Sequence, residues 1–406
     1  MNAPEIKEGI GAVTYFWKDM SLRVRAERIE GTSAELWFYS TNGISDRLLH
    51  VTKSNLLATS TMTSLAKRLR TNAKDVPWDD VLTYVAAKTL EIVRRGEDVQ
   101  EVGDEPESMA LRYTLRPLLE YGQPTTIYAP GGTGKSKLAV YLACLIHFNY
   151  NGIHDWTAES PCNVLYLDWE SDYQTITRTA WAIKQGLGCS RKDRFFYRRM
   201  HQPLVSDIEE IRKIVMDKRI GYGIIDSQMA ATKDIRGDPS TPASEYHNAL
   251  RSLSIGSLSL DHVNKEGGNY GTVTKTNRVR SQFELKGEQE KGQKFIELAL
   301  IHRKRNEGML LPTYGFRVNF DTDEHDILRK VTFTEARVLD NPVLAKAGTS
   351  VRQRAREELI HRPMGLEDLA SILDEPVDTV KVTLYRYKSE FVYRKDSKTW
   401  AVLITR

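Results

Sequence analysis

Apolar positions recur along the chain with distinct rhythms. Residues 12–17, 22–28 and 34–39 are short strand-like runs. Two helical patterns follow. The second is introduced by Pro77-Trp78-Asp79, with Asp79 as the expected N-cap, and carries Leu82, Val85, Ala86, Thr89 and Val93 at helical spacing. It should stop at Arg94-Arg95-Gly96, where two cations and a glycine end a helix. Residues 1–108 therefore read as a small α+β domain whose acidic, Gly- and Pro-containing tail is a linker. From 109 to 338 short apolar runs (125–128, 164–167, 195–197, 223–225, 257–260 and 295–301) alternate with helical segments, the pattern of a parallel α/β sheet. Ser171 with Gln174, and Ser206 with Glu209, have capping-box spacing and predict two helix starts. Residues 339–350 read as a second linker.

The last unit, 351–406, predicts helices over 352–360 and 366–373, the second with Leu366, Leu369, Ala370 and Leu373 on one stripe. After Asp374-Glu375-Pro376 a third helix starts near residue 378, with Val380, Leu384 and Tyr387 facing inward. Two strand-like runs, 391–394 and 399–403, close the chain.

Composition narrows the class. With 406 residues, 40% hydrophobic and 28% charged, the chain is neither disordered nor fibrous. The longest apolar-rich stretch, 138–148, is too short to span a bilayer, and no basic segment leads into an apolar core at the N-terminus. A cytosolic protein without a membrane partner is expected. Cys144, Cys162 and Cys189 are too few and too scattered for a disulfide framework or a zinc site, and read as reduced packing residues. Net charge is +4, yet residues 377–406 hold seven basic and three acidic side chains, an excess equal to that of the whole chain. One end of the molecule is the basic one.

Ala129-Pro130-Gly131-Gly132-Thr133-Gly134-Lys135-Ser136 fits the phosphate-binding loop, with Ala in place of the first Gly. Glycines let backbone N–H groups turn inward around an anion, and the following helix points its positive end at the phosphates. Pro130, Gly131, Gly132, Thr133 and Gly134 form the cradle, Lys135 is to reach the β and γ phosphates, and the Ser136 hydroxyl is to take Mg²⁺. The loop follows a β-run and opens an amphipathic helix carrying Leu138, Tyr141, Leu142 and Leu145, a context a mere flexible turn does not need. ATP and Mg²⁺ are the cofactors this predicts. Two apolar runs then end in acids, 164–167 followed by Asp168-Trp169-Glu170 and 222–225 followed by Asp226-Ser227, and a third ends in Asp261-His262.

This order resembles the RecA-like core of hexameric DNA helicases, especially the plasmid RepA helicases and the RepA-like ATPases of phages and plasmids. The resemblance covers about half of the chain. It implies that Glu170 polarises the attacking water, although the same residue would also suit a helix start beside Ser171. It gives Asp226 to the Mg²⁺ shell and makes His262 the γ-phosphate sensor, an ordinary polar strand end being the alternative. Residues 271–281 hold Lys275, Arg278 and Arg280 and no acid, a loop for nucleic acid, for a neighbouring subunit or for solvent. Residues 298–308 resemble the strand of DnaB-like helicases that ends in Lys-x-Arg-Asn-Gly. The carry-over puts a trans-acting arginine finger at Arg305, with Arg303 where that family has Lys and Glu307 intruding before Gly308. Residues 191–199 interleave basic and aromatic side chains as a stacking surface for single strands would, but a buried strand at 195–197 accounts for them better.

The C-terminal unit resembles a winged helix. Lys381, Arg386 and Lys388 on the third helix and Lys395 and Lys398 on the hairpin would meet duplex DNA, and the same fold used for protein contacts is the alternative. The fold expected is thus α/β: a RecA-like P-loop core (109–338) with a parallel-rich sheet, a small N-terminal α+β domain (1–108), a linker (339–350) and a C-terminal winged helix (351–406). The function expected is an ATP-hydrolysing motor, a helicase or DNA-remodelling ATPase of replication or recombination in a phage or mobile element. It would pass single strands through the core and assemble as a homo-oligomer, a hexamer by the resemblance. The competing readings are an ATP-switched DNA-binding protein that separates no strands, and a small-molecule P-loop kinase, which leaves the basic C-terminal unit and Arg305 without a role.

Overall fold

The computed structural model describes residues 2–9, 11–43, 45–95, 101, 110–233, 235, 237–238, 240–263, 277–341, 344–345 and 348–403. The chain divides into two compact units, 1–110 together with 206–213, and 111–205 together with 214–406. In the first unit, β1 (Glu5–Gly9), β2 (Ala12–Trp17), β3 (Leu22–Glu30), β4 (Ser33–Ser40) and β5 (Arg47–Asn55) form an antiparallel meander. Alternation sends Val13, Tyr15, Trp17, Val24, Ala26, Leu36 and Phe38 to one face, where α1 (Thr59–Asn72) and α2 (Trp78–Arg95) cover them with Leu65, Leu69, Trp78, Val81 and Val85. The strand-like runs predicted there are strands; the outer β1 and β5, weaker in pattern, were not predicted. The second helix begins at Trp78, so Asp79 lies in its first turn rather than at its N-cap.

The second unit opens with β6 (Tyr113–Leu115) and β7 (Leu119–Glu120) and then builds a nine-stranded sheet. Its elements are, in order, β8 (Pro124–Ala129), α3 (Lys135–Phe148), β9 (Asn163–Asp168), α4 (Tyr173–Gly186), β10 (Phe196–Arg199), α5 (Leu204–Asp217), β11 (Ile220–Asp226), α6 (Gln228–Ala231), α7 (Thr241–Arg251), β12 (Gly256–His262), β13 (Ser281–Glu288), β14 (Phe295–Arg305), β15 (Tyr314–Thr322) and β16 (Leu328–Glu335). The strand order is β10-β9-β11-β12-β8-β13-β14-β15-β16. Strands from β10 to β13 are parallel, and β14 to β16 continue the sheet antiparallel. The central strands are apolar throughout because both of their faces are covered, as parallel sheets require. Almost every side chain of α3 is buried, from Leu138 to Phe148, so this helix lies inside the core rather than on it.

Two expectations about helix starts need correction. α4 is capped by Asp172, whose carboxylate accepts from Thr175 N (2.9 Å), while Ser171 N donates to Asp168. α5 begins at Leu204 behind Pro203, ahead of the Ser206 box. The run at 195–197 is also not a buried strand: β10 lies at the edge of the sheet, and Phe195, Phe196 and Tyr197 are only half-buried.

The C-terminal residues form α8 (Val351–His361), α9 (Leu366–Leu373), α10 (Val377–Arg386) and the hairpin of β17 (Phe391–Arg394) and β18 (Thr399–Val402) around their own apolar cluster of Leu359, Leu369, Val380, Leu384, Phe391 and Trp400. Buried Arg354 ties α8 to the end of α9 through the Leu373 carbonyl (2.7 Å) and Glu375 (2.6 Å). No helix among the described residues is long and apolar enough to cross a membrane.

Helix α4, which follows the turn bearing Glu170, is anchored at its far end by contact without a side chain. A Cβ on Gly186 would overlap the Val331 carbonyl of β16. Gly186→Ala should therefore cost about 1–3 kcal/mol through forced displacement, although alanine favours helix elsewhere. Urea unfolding curves of the two proteins check this, and equal midpoints would refute it.

Candidate nucleotide-binding and catalytic site

Register aligns the chemistry. Parallel pairing sets Asp168 beside Asp226, Asp226 beside Leu260 and His262 beside Ala129, so four strands end along one line. The crevice outside these carboxyl ends is where open α/β sheets hold ligands.

The loop leaves β8 at Ala129 and enters α3 at Lys135, with Gly132 at φ 77° and Gly134 at φ 90°, the left-handed region that glycine tolerates. A Cβ on Gly131 or Gly132 would meet nothing within 4 Å, so space lies open beside the backbone where phosphates would sit. Thr133 Oγ1 donates to the Pro130 carbonyl (2.8 Å) and closes the loop. Lys135 is buried and its Nζ donates to the carbonyls of Ala129 and Pro130 (both 2.8 Å). An ammonium has three donors, which leaves one for a phosphate oxygen. Burial lowers the Lys135 pKa, while Asp226, Glu170 and Asp261 oppose the shift.

Asp226 ends β11, almost fully buried, and accepts from the Tyr166 hydroxyl (2.7 Å) and from the Ser136 side chain. Burial raises its pKa against those two hydrogen bonds, and the neighbouring Glu170 and Asp168 add to the rise. A hydroxyl and one carboxylate at the foot of a phosphate loop are the donor set Mg²⁺ uses, since it keeps most of its waters and takes few protein ligands. No cluster of three or more His, Cys, Asp or Glu among the described residues could form a closed metal cage, and Mg²⁺ needs none. Ser136 and Asp226 fit the ion.

Glu170 is held from two sides. Ser227 Oγ donates to its Oε1, and the same oxygen lies 3.2 Å from His262 Nε2. Its backbone is fixed by Asp168, to which the sequence analysis assigns no role of its own. Asp168, fully buried, accepts from Glu170 N (2.9 Å) and Ser171 N (2.8 Å) through Oδ1 and from the Tyr197 hydroxyl (3.0 Å) through Oδ2. The signal was available: an acid at the end of an apolar strand, two residues before another, forms an Asx turn that aims the second one. Tyr166 and Ser227 were also missed, because each is polar only at its tip within an otherwise buried segment.

Lys135, Ser136, Asp226, Glu170 and His262 therefore come together. Arg305 does not join them. It ends β14 opposite Ser281, at the amino edge of the sheet, and its guanidinium is spent on Glu120 (3.2 Å), the Tyr113 hydroxyl (2.5 Å) and the Met309 carbonyl (3.2 Å). Its side chain is 9% exposed and ion-paired with Glu120 within this single chain. Next to it, burial and Arg305 push His302 down to about 4, so this histidine stays neutral, accepting from Leu311 N and bonded to Ser281. Arg303 is more exposed and pairs with Glu284 (2.7 Å).

Of the residues expected to meet nucleic acid, Lys275 lies outside the described residues. Arg278 is half-buried at the approach to β13. Lys381, Arg386 and Lys388 are exposed on α10 or just after it, and Lys395 and Lys398 are exposed on the hairpin turn. Val382 and Tyr385 share the exposed side of α10 with them.

Residues 89–267 match the family described as the AAA domain. No curated protein matches the chain. Among solved structures, a KaiC-like protein from the hyperthermophilic archaeon Pyrococcus horikoshii is similar at 11% identity and a TM-score of 0.38, over 54% of this chain and 93% of its own. This part of the chain carries both halves of the candidate site on strand ends, with the phosphate loop on one strand and the acids on its neighbours.

A raised Asp226 pKa has a definite sign. The free site holds its proton above the usual carboxylate range, whereas Mg²⁺ requires the carboxylate, so affinity for the Mg²⁺ complex of ATP should fall on acidification at a higher pH than an ordinary aspartate would cause. Asp226→Asn should remove that pH dependence. It should also abolish the Mg²⁺-dependent stabilisation, about 2.7 kcal/mol at a hundredfold excess over Kd, that thermal melting with a non-hydrolysable ATP analogue measures in the unmodified protein. Melting shifts equal in the two proteins would remove Asp226 from the metal site.

Proposed function

We propose that the chain is an oligomeric ATPase that couples ATP hydrolysis to work on DNA, as a helicase or remodelling enzyme of replication or recombination in a phage or mobile element. The observation that carries the hydrolytic half is the Glu170 carboxylate, held by Ser227 and His262 beside Lys135 and Asp226. When bound, Mg²⁺ supplies charge neutralisation at the β and γ phosphates. The loop backbone and the remaining Lys135 donor orient the triphosphate. Glu170 accepts the proton of the water that attacks the γ-phosphorus, and the bond to the β–γ bridging oxygen breaks, leaving ADP and phosphate. His262 shares the Glu170 oxygen, so any motion at the end of β12 reaches the water-activating group directly.

The nucleic-acid half rests on charge. The exposed cations of α10 and of the β17–β18 turn give the C-terminal unit the basic surface that a winged helix presents to duplex DNA, and the chain's positive excess is concentrated there. ATP and Mg²⁺ are the ligands, DNA the partner, and a homo-oligomer, a hexamer by resemblance, the working form. One observation favours the second reading, an ATP-switched DNA-binding protein: with Arg305 sealed against Glu120, a trans-acting cation is not standing ready, and hydrolysis would be slow.

Steady-state ATP hydrolysis with and without single-stranded DNA, at two salt concentrations, separates the two. A motor should be stimulated by DNA in a salt-sensitive way, and Glu170→Gln should lower turnover by about 10²–10⁴-fold while Mg²⁺-nucleotide binding persists. Slow hydrolysis indifferent to DNA, together with sequence-specific duplex binding by the full chain, would replace the motor with the switch.

A further inference from the structure

The strands that end at the ATP site begin at the opposite edge of the sheet, roughly 15–20 Å away for strands of this length. Ligands of open α/β sheets gather at the carboxyl edge, so a ligand-sized cleft at the amino edge asks for a separate explanation. Such a cleft, of about 310 Å³, lies where β8, β12 and β13 start. Arg251, from the last turn of α7, and Arg278 and Arg280, from the approach to β13, all line it. The rest of the wall includes Gln123, Ser254 and Ser257, and no carboxylate lines it among the described residues.

Three arginines line the cleft, and no acid lines it among the described residues. The contrast with Arg305 at the same edge is direct, since that residue is buried against Glu120. Arg251 and Arg280 are exposed, and their side chains make no ion pair or hydrogen bond among the described residues. Arg278 makes one long contact, 3.4 Å to the Asn248 side-chain oxygen. Lys304, bonded to the Val279 carbonyl (2.8 Å), stands close enough for Arg280 to lower its pKa further than burial alone. Mutual repulsion of this kind is relieved by an anion, and planar guanidinium groups match phosphate oxygens in pairs.

We propose that the Arg251–Arg278–Arg280 cleft is a second phosphate-binding site, separate from the ATP loop, that takes backbone phosphates of a nucleic-acid strand. The site deepens the DNA-acting reading and rests on it for the source of its phosphate; the phosphate chemistry itself follows from the arginines. A free phosphate compound would satisfy the same groups, and the test distinguishes the two sources.

The full chain carrying Arg251→Glu and Arg280→Glu is compared with the unmodified protein, first for binding of a fluorescent single-stranded 20-mer across a salt series. Fluorescent ADP binding and thermal melting report on the ATP loop and the fold, and Arg251→Gln with Arg280→Gln guards against damage from charge reversal. The expected result is a loss of oligonucleotide affinity of about tenfold or more, with the slope of log affinity against log salt shallower by roughly 1.4, the loss of two phosphate contacts on a single strand. ADP binding should be unchanged. In a Lys135→Ala background, inorganic pyrophosphate is then titrated by calorimetry. If the unmodified cleft binds no oligonucleotide yet takes one pyrophosphate per chain, lost on Arg251→Glu with Arg280→Glu, the phosphate site stands and the DNA source fails with the motor reading. Oligonucleotide affinity and salt slope unaltered by the substitutions, with no pyrophosphate bound, would overturn the proposal.

Discussion

The core is organised around the cost of burying Asp226. Its carboxylate sits beside Asp168 and Glu170 at the ends of adjoining strands, with Asp261 ending the next, and the one lysine among them, Lys135, is itself buried. Two hydroxyls, from Tyr166 and Ser136, are not enough to return its pKa to normal. Such an arrangement is poorly balanced in the absence of a cation and well balanced with one. The phosphate loop supplies the complementary need, since its open backbone and remaining lysine donor are suited to an anion. A metal–triphosphate complex satisfies both, and neither component does so alone.

Asp168 shows how the same charge density is used for positioning. Its buried carboxylate spends one oxygen on the backbone of the Glu170 turn and the other on Tyr197. Charge-assisted bonds of this kind are short and directional, so the turn that aims Glu170 is set by a group with no contact to solvent. The Tyr197 link ties that turn to β10, an edge strand, and Tyr173, three residues beyond Glu170, packs edge-on against the Tyr197 ring at 5.6 Å. Two side chains thus connect the sheet edge to the turn that carries Glu170.

Much of this was legible because it is written in local pattern. The loop declares itself by its glycines and by the apolar strand and helix on either side, and Glu170, Asp226 and His262 by following apolar runs. What escaped was set by tertiary context. Ser171 has the spacing of a cap, but Asp168 takes its N–H from below, and the cap falls to Asp172. β15 alternates Phe316, Val318 and Phe320 as a strand should, yet an expectation of strand–helix repeats hides an antiparallel extension. The aromatic run at 195–197 has the composition of an interior strand, and only the sheet order reveals that no strand lies outside it. Arg305 fits a motif by sequence, while its partner, Glu120, lies 185 residues away and could not have been named.

The two edges of one sheet thus carry opposite electrostatic problems. At the carboxyl edge, acids on three neighbouring strands are drawn together by register, and a metal-bound anion resolves them. At the amino edge, arginines from α7 and from the approach to β13 line the cleft where the same strands begin, whereas Arg305 is paired with Glu120. A fold under selection for stability alone would sooner scatter those arginines or pair them, because uncompensated like charges cost energy whether or not they are exposed. Their convergence is better explained by what arrives from outside. Strands β8 and β12, paired in parallel, run from one edge to the other, so the two sites lie at opposite ends of the same strands.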